Sequence, residues 1–407
     1  MSRSATSDLL IRNVRDARGG LVDILCVDGR IRTIGAAVAE TSHCAKFDGC
    51  GELALPGLVE AHTHLGYSML GLPWWRNEVG PRLIDKIENE RHEVRRLGID
   101  PHLQARRQII HCAELGSTHV RGHVAIDTDV GLWAVEGVLA ARAETLGIAN
   151  VQIVAFPQSG LLTRPGTLEL MDRALAAGAD VVGGLDPAGI DRDPKGHVDA
   201  IFALAQKHGK PIDIHLHETA ELGAFSAELI IERTRALGMH GKVTISHAFF
   251  LGMTDLGYAD RLAADLAEAN ISIMTTGPSG RPCPDVKKLR AMGVVVCSGS
   301  DGVRDMWSPY ASGDMLERAM LVGLRNNFRR DDEIAEAFDV CTQGGAAALG
   351  CSGYGLREGC VADIVLVSAE TLAEAVVAHP KRALVVKAGR VIARDGRLAE
   401  DALAPQP

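Results

Sequence analysis

The segment GLVEAHTH (57–64) ends an apolar run in His62 and His64. Side chains two residues apart on a β-strand share a face, so these imidazoles stand side by side. Two bases aimed one way suit a shared cation; the plainer alternative is a polar pair meeting solvent at a strand end. Other short apolar runs end the same way. THVRGHVAI (118–126) carries His123, VQIVAFPQ (151–158) ends in Gln158, and DVVGGLDP (180–187) carries Asp186. PIDIHLHE (211–218) brings His215, His217 and Glu218, KVTISHA (242–248) brings His247, and GVVVCSGSD (293–301) ends in Asp301. Any one of these histidines alone reads as a satisfied, hydrogen-bonded residue. Histidine or carboxylate at the ends of the first, fifth, sixth and eighth runs together is hard to explain as packing and indicates a metal site. An ion held by imidazoles and a carboxylate lowers the pKa of water from ~15.7 to ~7.

The elements that must position these groups follow from the pattern between them. With ISIMTTG (271–277) the apolar runs number eight, and helical segments such as GTLELMDRALAAG and HVDAIFALAQKHG lie between them, each closed by a glycine suited to a C-cap. Eight strands alternating with helices over residues 57–354 predict a (β/α)8 TIM barrel, whose active site gathers at the carboxyl ends of the strands. A doubly wound open sheet is the competitor, but no glycine-rich phosphate fingerprint follows the first strand. The two chain ends differ from this middle. Residues 1–56 and 355–407 are rich in β-branched residues and turns, with the hairpin signal DGRI near the start and RVIARDGRL near the end. They predict one small β-sandwich domain built from both ends of the chain.

Composition excludes several classes. The chain has 407 residues, 46% apolar and 23% charged, with a formal net charge of −9, and no Lys/Arg block marks a nucleic-acid-binding face. The nine cysteines are scattered without a C-x-x-C pair, which argues against a disulfide framework and against a cysteine zinc site. No stretch approaches the ~18 apolar residues of a membrane span, and the amino terminus shows no apolar run of signal-peptide length. The sequence reads as a soluble protein of a reducing compartment, the cytoplasm.

The motifs PGLVEAHTH, VAFPQSG, HLHE, VTISHA, CSGSDGVRDMWSPYASGDML and GCVADIVLV together resemble the amidohydrolase superfamily, in the branch of bacterial cytosine deaminase and N-isopropylammelide hydrolase. The resemblance covers nearly the whole chain. It implies that His62, His64, His215 and Asp301 bind one divalent ion, zinc or iron, and that His247 hydrogen-bonds the water the ion activates. Glu218 is then the proton shuttle on a substrate ring, and Gln158 holds the ring's carbonyl and N–H edge. Acid–base help of this kind is typically worth ~10²–10⁴ in rate, and a glutamine offers both a donor and an acceptor. Binuclear members carry a lysine at the end of the fourth strand, where this chain has VVGGLDPAG, so one ion is expected. Spacing alone does not choose between His215 and His217; the resemblance favours His215, because Glu218 then follows by three. Relatives assemble as homo-oligomers.

The implied reaction is hydrolytic deamination of a nitrogen heterocycle by water, with cytosine or a related aminopyrimidine first. Three positions depart from the cytosine deaminase pattern: Gly302 follows Asp301 where that enzyme has a second aspartate, His217 replaces an acid, and Gly66-Tyr67 replaces Asp-Lys. Gly302 is expected to enlarge the pocket, which would admit a fused ring such as a pterin; an N-alkylaminotriazine is the other alternative. Trp74 and Trp75 form either a stacking wall for a flat ring or ordinary loop packing. His123, Arg121 and Asp186 either support the ligands or serve as buried structural groups. A base-flipping nucleic-acid deaminase would need P-C-x-x-C, which is missing from the sequence. A catalytically silent barrel acting as a binding protein would have lost a ligand or Glu218, and neither is missing.

Overall fold

A computed structural model of the chain describes residues 8–41 and 44–404. Residues 1–7, on which the reading of the amino terminus partly rests, and residues 42–43 and 405–407 lie outside the described set.

Eight parallel strands form the barrel in sequence order: Leu58–His64, Ser117–Ala125, Asn150–Phe156, Val181–Leu185, Ile212–His215, Val243–Ser246, Ser272–Met274 and Val296–Cys297. Each falls inside one of the eight apolar runs or overlaps it. The ring closes where the last strand meets the first. The Asp301 N–H donates to the His62 carbonyl at 2.9 Å, and the His64 N–H donates to the Asp301 carbonyl at 3.2 Å. Closure thus sets the eighth-strand aspartate directly against the first-strand histidines. Helices Thr167–Ala177 and Pro194–His208 end at Gly178 and Gly209, both at positive φ, as the glycine signals predict.

The chain ends build a second sheet. Strands Leu9–Arg15, Leu21–Val27, Arg30–Gly35, Ala45–Asp48 and Leu53–Pro56 join Ile364–Val367, Arg382–Lys387, Arg390–Arg394 and Arg397–Leu398. The seam is the antiparallel pair of Leu53–Pro56 with Ile364–Val367. Asp28-Gly29 turns the DGRI hairpin with both residues at positive φ, the geometry a two-residue loop needs. Fully buried Arg382 fastens this sheet to the barrel, donating to the carbonyls of Leu115 and Pro380 and pairing with Asp314.

The connection after the first barrel strand is long and carries the helix Leu83–Arg96. Its buried Ile87 packs with Phe156 and Leu185, at the carboxyl ends of the third and fourth strands. The loop that holds Trp74 and Trp75 leads into this cap.

Candidate active site

The backbone delivers the site's polar groups through unusual conformations. Asp186, His247, Ala248, Asp301 and Arg304 all have positive φ without being glycine. Such conformations are sparse for residues with a Cβ and cluster at functional sites. All five lie at or just past the carboxyl ends of barrel strands.

His62, His215, His247 and Asp301 offer donor atoms that all lie within 4.8 Å of one another. His64 enters the same space, with its Nε2 3.1 Å from Asp301 Oδ1 and 3.3 Å from His215 Nε2. His62 Nε2 lies 3.5 Å from Asp301 Oδ1. Donors on an ion with bonds of about 2.1 Å sit about 3.4 Å apart in a tetrahedral arrangement, so these separations suit a divalent cation. The buried Nε2 atoms of His62 and His247 have no hydrogen-bond partner. Unpaired buried nitrogens are costly; a cation would satisfy His62, and the cation or a water on it would satisfy His247.

The protonation states of His62, His215 and His247 agree with this use, while for His64 the lowering by burial is more than offset by Asp301 and the net shift is upward. Burial lowers the pKa of His62, and burial with the surrounding imidazoles holds His215 and His247 well below the ordinary histidine value. They are therefore neutral and keep a lone pair. Burial opposes ionisation of Asp301, but His247, His62 and His64 outweigh it and hold its carboxyl well below the usual range. The Asp301 side chain keeps 41% exposure, so it faces an open mouth.

A support that the sequence reading missed fixes the His62 ring. Ser246 Oγ donates to Asp213 Oδ1 at 2.6 Å and lies 3.0 Å from His62 Nδ1. The serine's one proton goes to the carboxylate, so His62 Nδ1–H must donate to the serine. That tautomer leaves Nε2 bare and aimed at the cluster. Asp213 is in turn paired to Arg121 at 3.1 Å. Buried Glu60 accepts the backbone N–H groups of His62 and Ser300 through one oxygen, tying the first strand to the turn that carries Asp301. Phe156 stacks on His215 with centroids 4.2 Å apart. Nothing in spacing marks Ser246, Asp213 or Glu60, because inward polar residues on barrel strands look alike in sequence.

The remaining predicted residues divide. His215 faces the cluster, while His217 turns to Asp186, whose two oxygens take its ring Nδ1 (2.9 Å) and its backbone N–H (2.6 Å). Burial lowers the pKa of His217, but Asp186 more than offsets it and the net shift is upward. The His217 ring stacks on His247 at 4.2 Å. Glu218 is buried; its Oε1 accepts from the N–H groups of Ala188 and Gly189, both at 2.7 Å, and its Oε2 from Ser226. Burial raises its pKa against these hydrogen bonds. Gln158 is buried and its Oε1 has no partner. His123 lies against His62, with centroids 4.0 Å apart.

Trp74 is 69% exposed, with the Arg304 guanidinium beside its ring, so it is not brought to the cluster as a buried wall. Trp75 packs partly buried against the core. Nor does Gly302 leave a void. A Cβ there would lie 1.7 Å from Asp305 Oδ2, so a carboxylate from three residues downstream already fills the space. The enlargement of the pocket expected at Gly302 is therefore not present.

A second buried acid stands behind Asp305. Glu90, on the capping helix, accepts the indole N–H of Trp307 at 2.8 Å. Burial first, and then the charge of Asp305, pushes its pKa up to about 8 from an ordinary 4.5. The folded chain therefore keeps a proton that the unfolded chain releases, and stability falls as pH rises from about 4.5 to about 8. Glu90→Gln keeps an acceptor for Trp307 and removes this titration. It is expected to flatten the dependence of Tm on pH across that window, a gain of a few kcal/mol at its upper end. An unchanged slope would show that Glu90 is not the group responsible.

Comparison with known proteins places the chain. The model of the amidohydrolase family matches residues 47–393. The chain belongs to the amidohydrolase family. Over 400 residues this amidohydrolase is 30% identical to the N-isopropylammelide isopropyl amidohydrolase of Pseudomonas sp. (strain ADP), covering 95% of the chain and 98% of that protein. Among solved structures it resembles the N-isopropylammelide isopropylaminohydrolase of Burkholderia multivorans ATCC 17616, with 49% identity and a TM-score of 0.94 over 97% of this chain and 100% of that one. The 5-methylcytosine deaminase of Klebsiella pneumoniae, liganded with 5-fluorocytosine, gives 30% identity and a TM-score of 0.83 over 96% and 98% of the two chains. No helix among the described residues is long and apolar enough to cross a membrane.

Proposed function

We propose that this amidohydrolase removes an amino or alkylamino substituent from a six-membered nitrogen heterocycle by hydrolysis. The observation that carries the reading is the convergence of unpaired imidazole nitrogens on Asp301 at the mouth of the barrel. An N-alkylaminotriazine is the first substrate reading, favoured by 49% identity over 97% of the chain to an N-isopropylammelide isopropylaminohydrolase. A cytosine-like aminopyrimidine is the second, favoured by Glu218 in the proton-shuttle position and by the likeness to 5-methylcytosine deaminase.

In this reading His62, His64, His215 and Asp301 hold one divalent ion. His64 is preferred to His247 as the fourth ligand because its contacts of 3.1 and 3.3 Å match the spacing of donors on one ion. When bound, the ion supplies the Lewis acidity that makes water nucleophilic near neutral pH. Two features support a single ion. The fourth strand, Val181–Leu185, carries no lysine. The other group of possible ligands, His62, His123 and Asp213, already holds the Arg121 guanidinium on Asp213, a fixed positive charge that repels a second cation.

The chain's own groups carry the protons. Asp301, ionised and facing the open mouth, accepts the proton of the attacking water, and His247 orients that water. Glu218, with its pKa raised by burial, gives a proton to a ring nitrogen and so makes the ring carbon electrophilic. Gln158 Oε1, buried without a partner, accepts the ring's N–H. The carbon–oxygen bond forms, Asp301 passes the water's first proton to the departing nitrogen, the carbon–nitrogen bond breaks, and the remaining hydroxyl proton returns Glu218 to its acid form as the ring carbonyl forms; ammonia or an alkylamine leaves.

Release of ammonia and of alkylamine is the test, measured over aminopyrimidines, N-alkylaminotriazines and pterins with the metal-replete protein. Turnover is expected on at least one monocyclic class and to exceed that on pterins. Turnover of pterins alone would overturn the monocyclic reading, and no release from any ring would overturn the aminohydrolase reading.

A further inference from the structure

Asp305 brings to the site a carboxylate oxygen that none of the roles above employs. Its Oδ1 accepts the backbone N–H groups of Trp307 and Ser308, both at 2.8 Å, which fixes the plane of the carboxyl group. Its Oδ2 accepts no hydrogen bond among the described residues and stands over Gly302, in the space a side chain there would fill. Trp307 is itself held by Glu90, so the turn 305–308 is braced from the capping helix. Gly302 directly follows Asp301, so the Oδ2 that stands over it lies beside the cluster, at the end of the pocket where the reacting carbon must lie. Glycine at 302 and aspartate at 305 thus form one device: the missing side chain makes room for the distant carboxylate.

We propose that Asp305 is a specificity-determining residue whose Oδ2 accepts a hydrogen bond from the N–H of the departing amine. The inference rests on the reading that the substrate is an amino- or alkylamino-substituted ring. In the tetrahedral arrangement the attacking oxygen and the leaving nitrogen share one carbon, so the amine sits near Asp301 and not at the edge held by Gln158. As the carbon–nitrogen bond breaks, the amine takes up the water proton that Asp301 accepted and gains positive character. A fixed carboxylate beside it stabilises that charge more than it stabilises the starting ring. Asp305 serves as a hydrogen-bond acceptor and takes no proton from the amine. A leaving group without N–H, such as an alkoxide, gains nothing from it.

The test compares two rings differing only at the leaving group, amino against methoxy, in wild type and Asp305→Asn. Asparagine keeps its oxygen toward the N–H groups of Trp307 and Ser308 and turns its NH₂ to the Oδ2 position, so a donor meets a donor. The ratio of kcat/KM for the amino over the methoxy ring is expected to fall at least about tenfold, at unchanged metal content. Gly302→Ala displaces the carboxylate and should lower the same ratio. Calorimetric binding of both rings in a Glu218→Gln background, where hydrolysis is slow, supplies a comparison apart from turnover: the preference for the amino ring should shrink in both variants. If both rings lose in equal proportion, Asp305 only braces the turn and the inference is overturned; an unchanged ratio overturns it too. Failure of the functional reading looks different, since wild type would then release amine from no ring.

Discussion

Asp301→Ala is expected to abolish turnover and to empty the metal site. Asp301 is where closure of the barrel brings the first and eighth strands together, and its carboxylate lies 3.1 and 3.5 Å from the Nε2 atoms of His64 and His62. The proposed role is double, as ligand and as acceptor of the water's proton. Loss of one acid–base group alone costs ~10²–10⁴, so kcat/KM should fall by at least ~10³, with bound metal falling in parallel. Asp301 has φ of 63°, where alanine adds backbone strain. Asp301→Asn is the companion variant, because asparagine tolerates that conformation. It should leave Tm near wild type while still losing the rate. An alanine variant that keeps its ion, or a rate within tenfold of wild type, would contradict the assignment.

Glu218→Gln is expected to keep the ion and the fold and to lose at least ~10² in kcat. The exchange is close to isosteric here. The glutamine oxygen still accepts from Ala188 and Gly189, and Ser226, which now donates to Oε2, turns its hydroxyl to accept from the new NH₂. What disappears is the acid proton for the ring. Metal content by elemental analysis separates the outcomes. Loss of metal in proportion to rate would make Glu218 a ligand and the register of the fifth strand wrong.

The barrel was legible because its strands are short apolar runs, each stopped by a polar residue, and because a two-residue period makes His62 and His64 neighbours. The sheet from the two chain ends was legible through its turn residues, as Asp28-Gly29 illustrates. The cap helix Leu83–Arg96 was not read, since its three buried positions, Ile87, Glu90 and Val94, include a glutamate and blur the apolar face. The fixing of His62 through Ser246 and Asp213 was hidden for a different reason. Those contacts join strands far apart in sequence, and a buried serine or aspartate carries no local signature of its partner. Gly302 is the instructive miss. A glycine in sequence reports the absence of its own side chain, not the emptiness of the space, and Asp305 fills that space from three residues away.

The central claim is that one ion, held where the barrel closes, activates this protein as an aminohydrolase. The direct measurement is a titration of a divalent ion, zinc or ferrous iron, into chelator-stripped protein, with release of ammonia or alkylamine read at each step. Activity should start near zero, rise linearly and level off at about one ion per chain. Full activity in the stripped protein, or a break at two ions per chain, would contradict it.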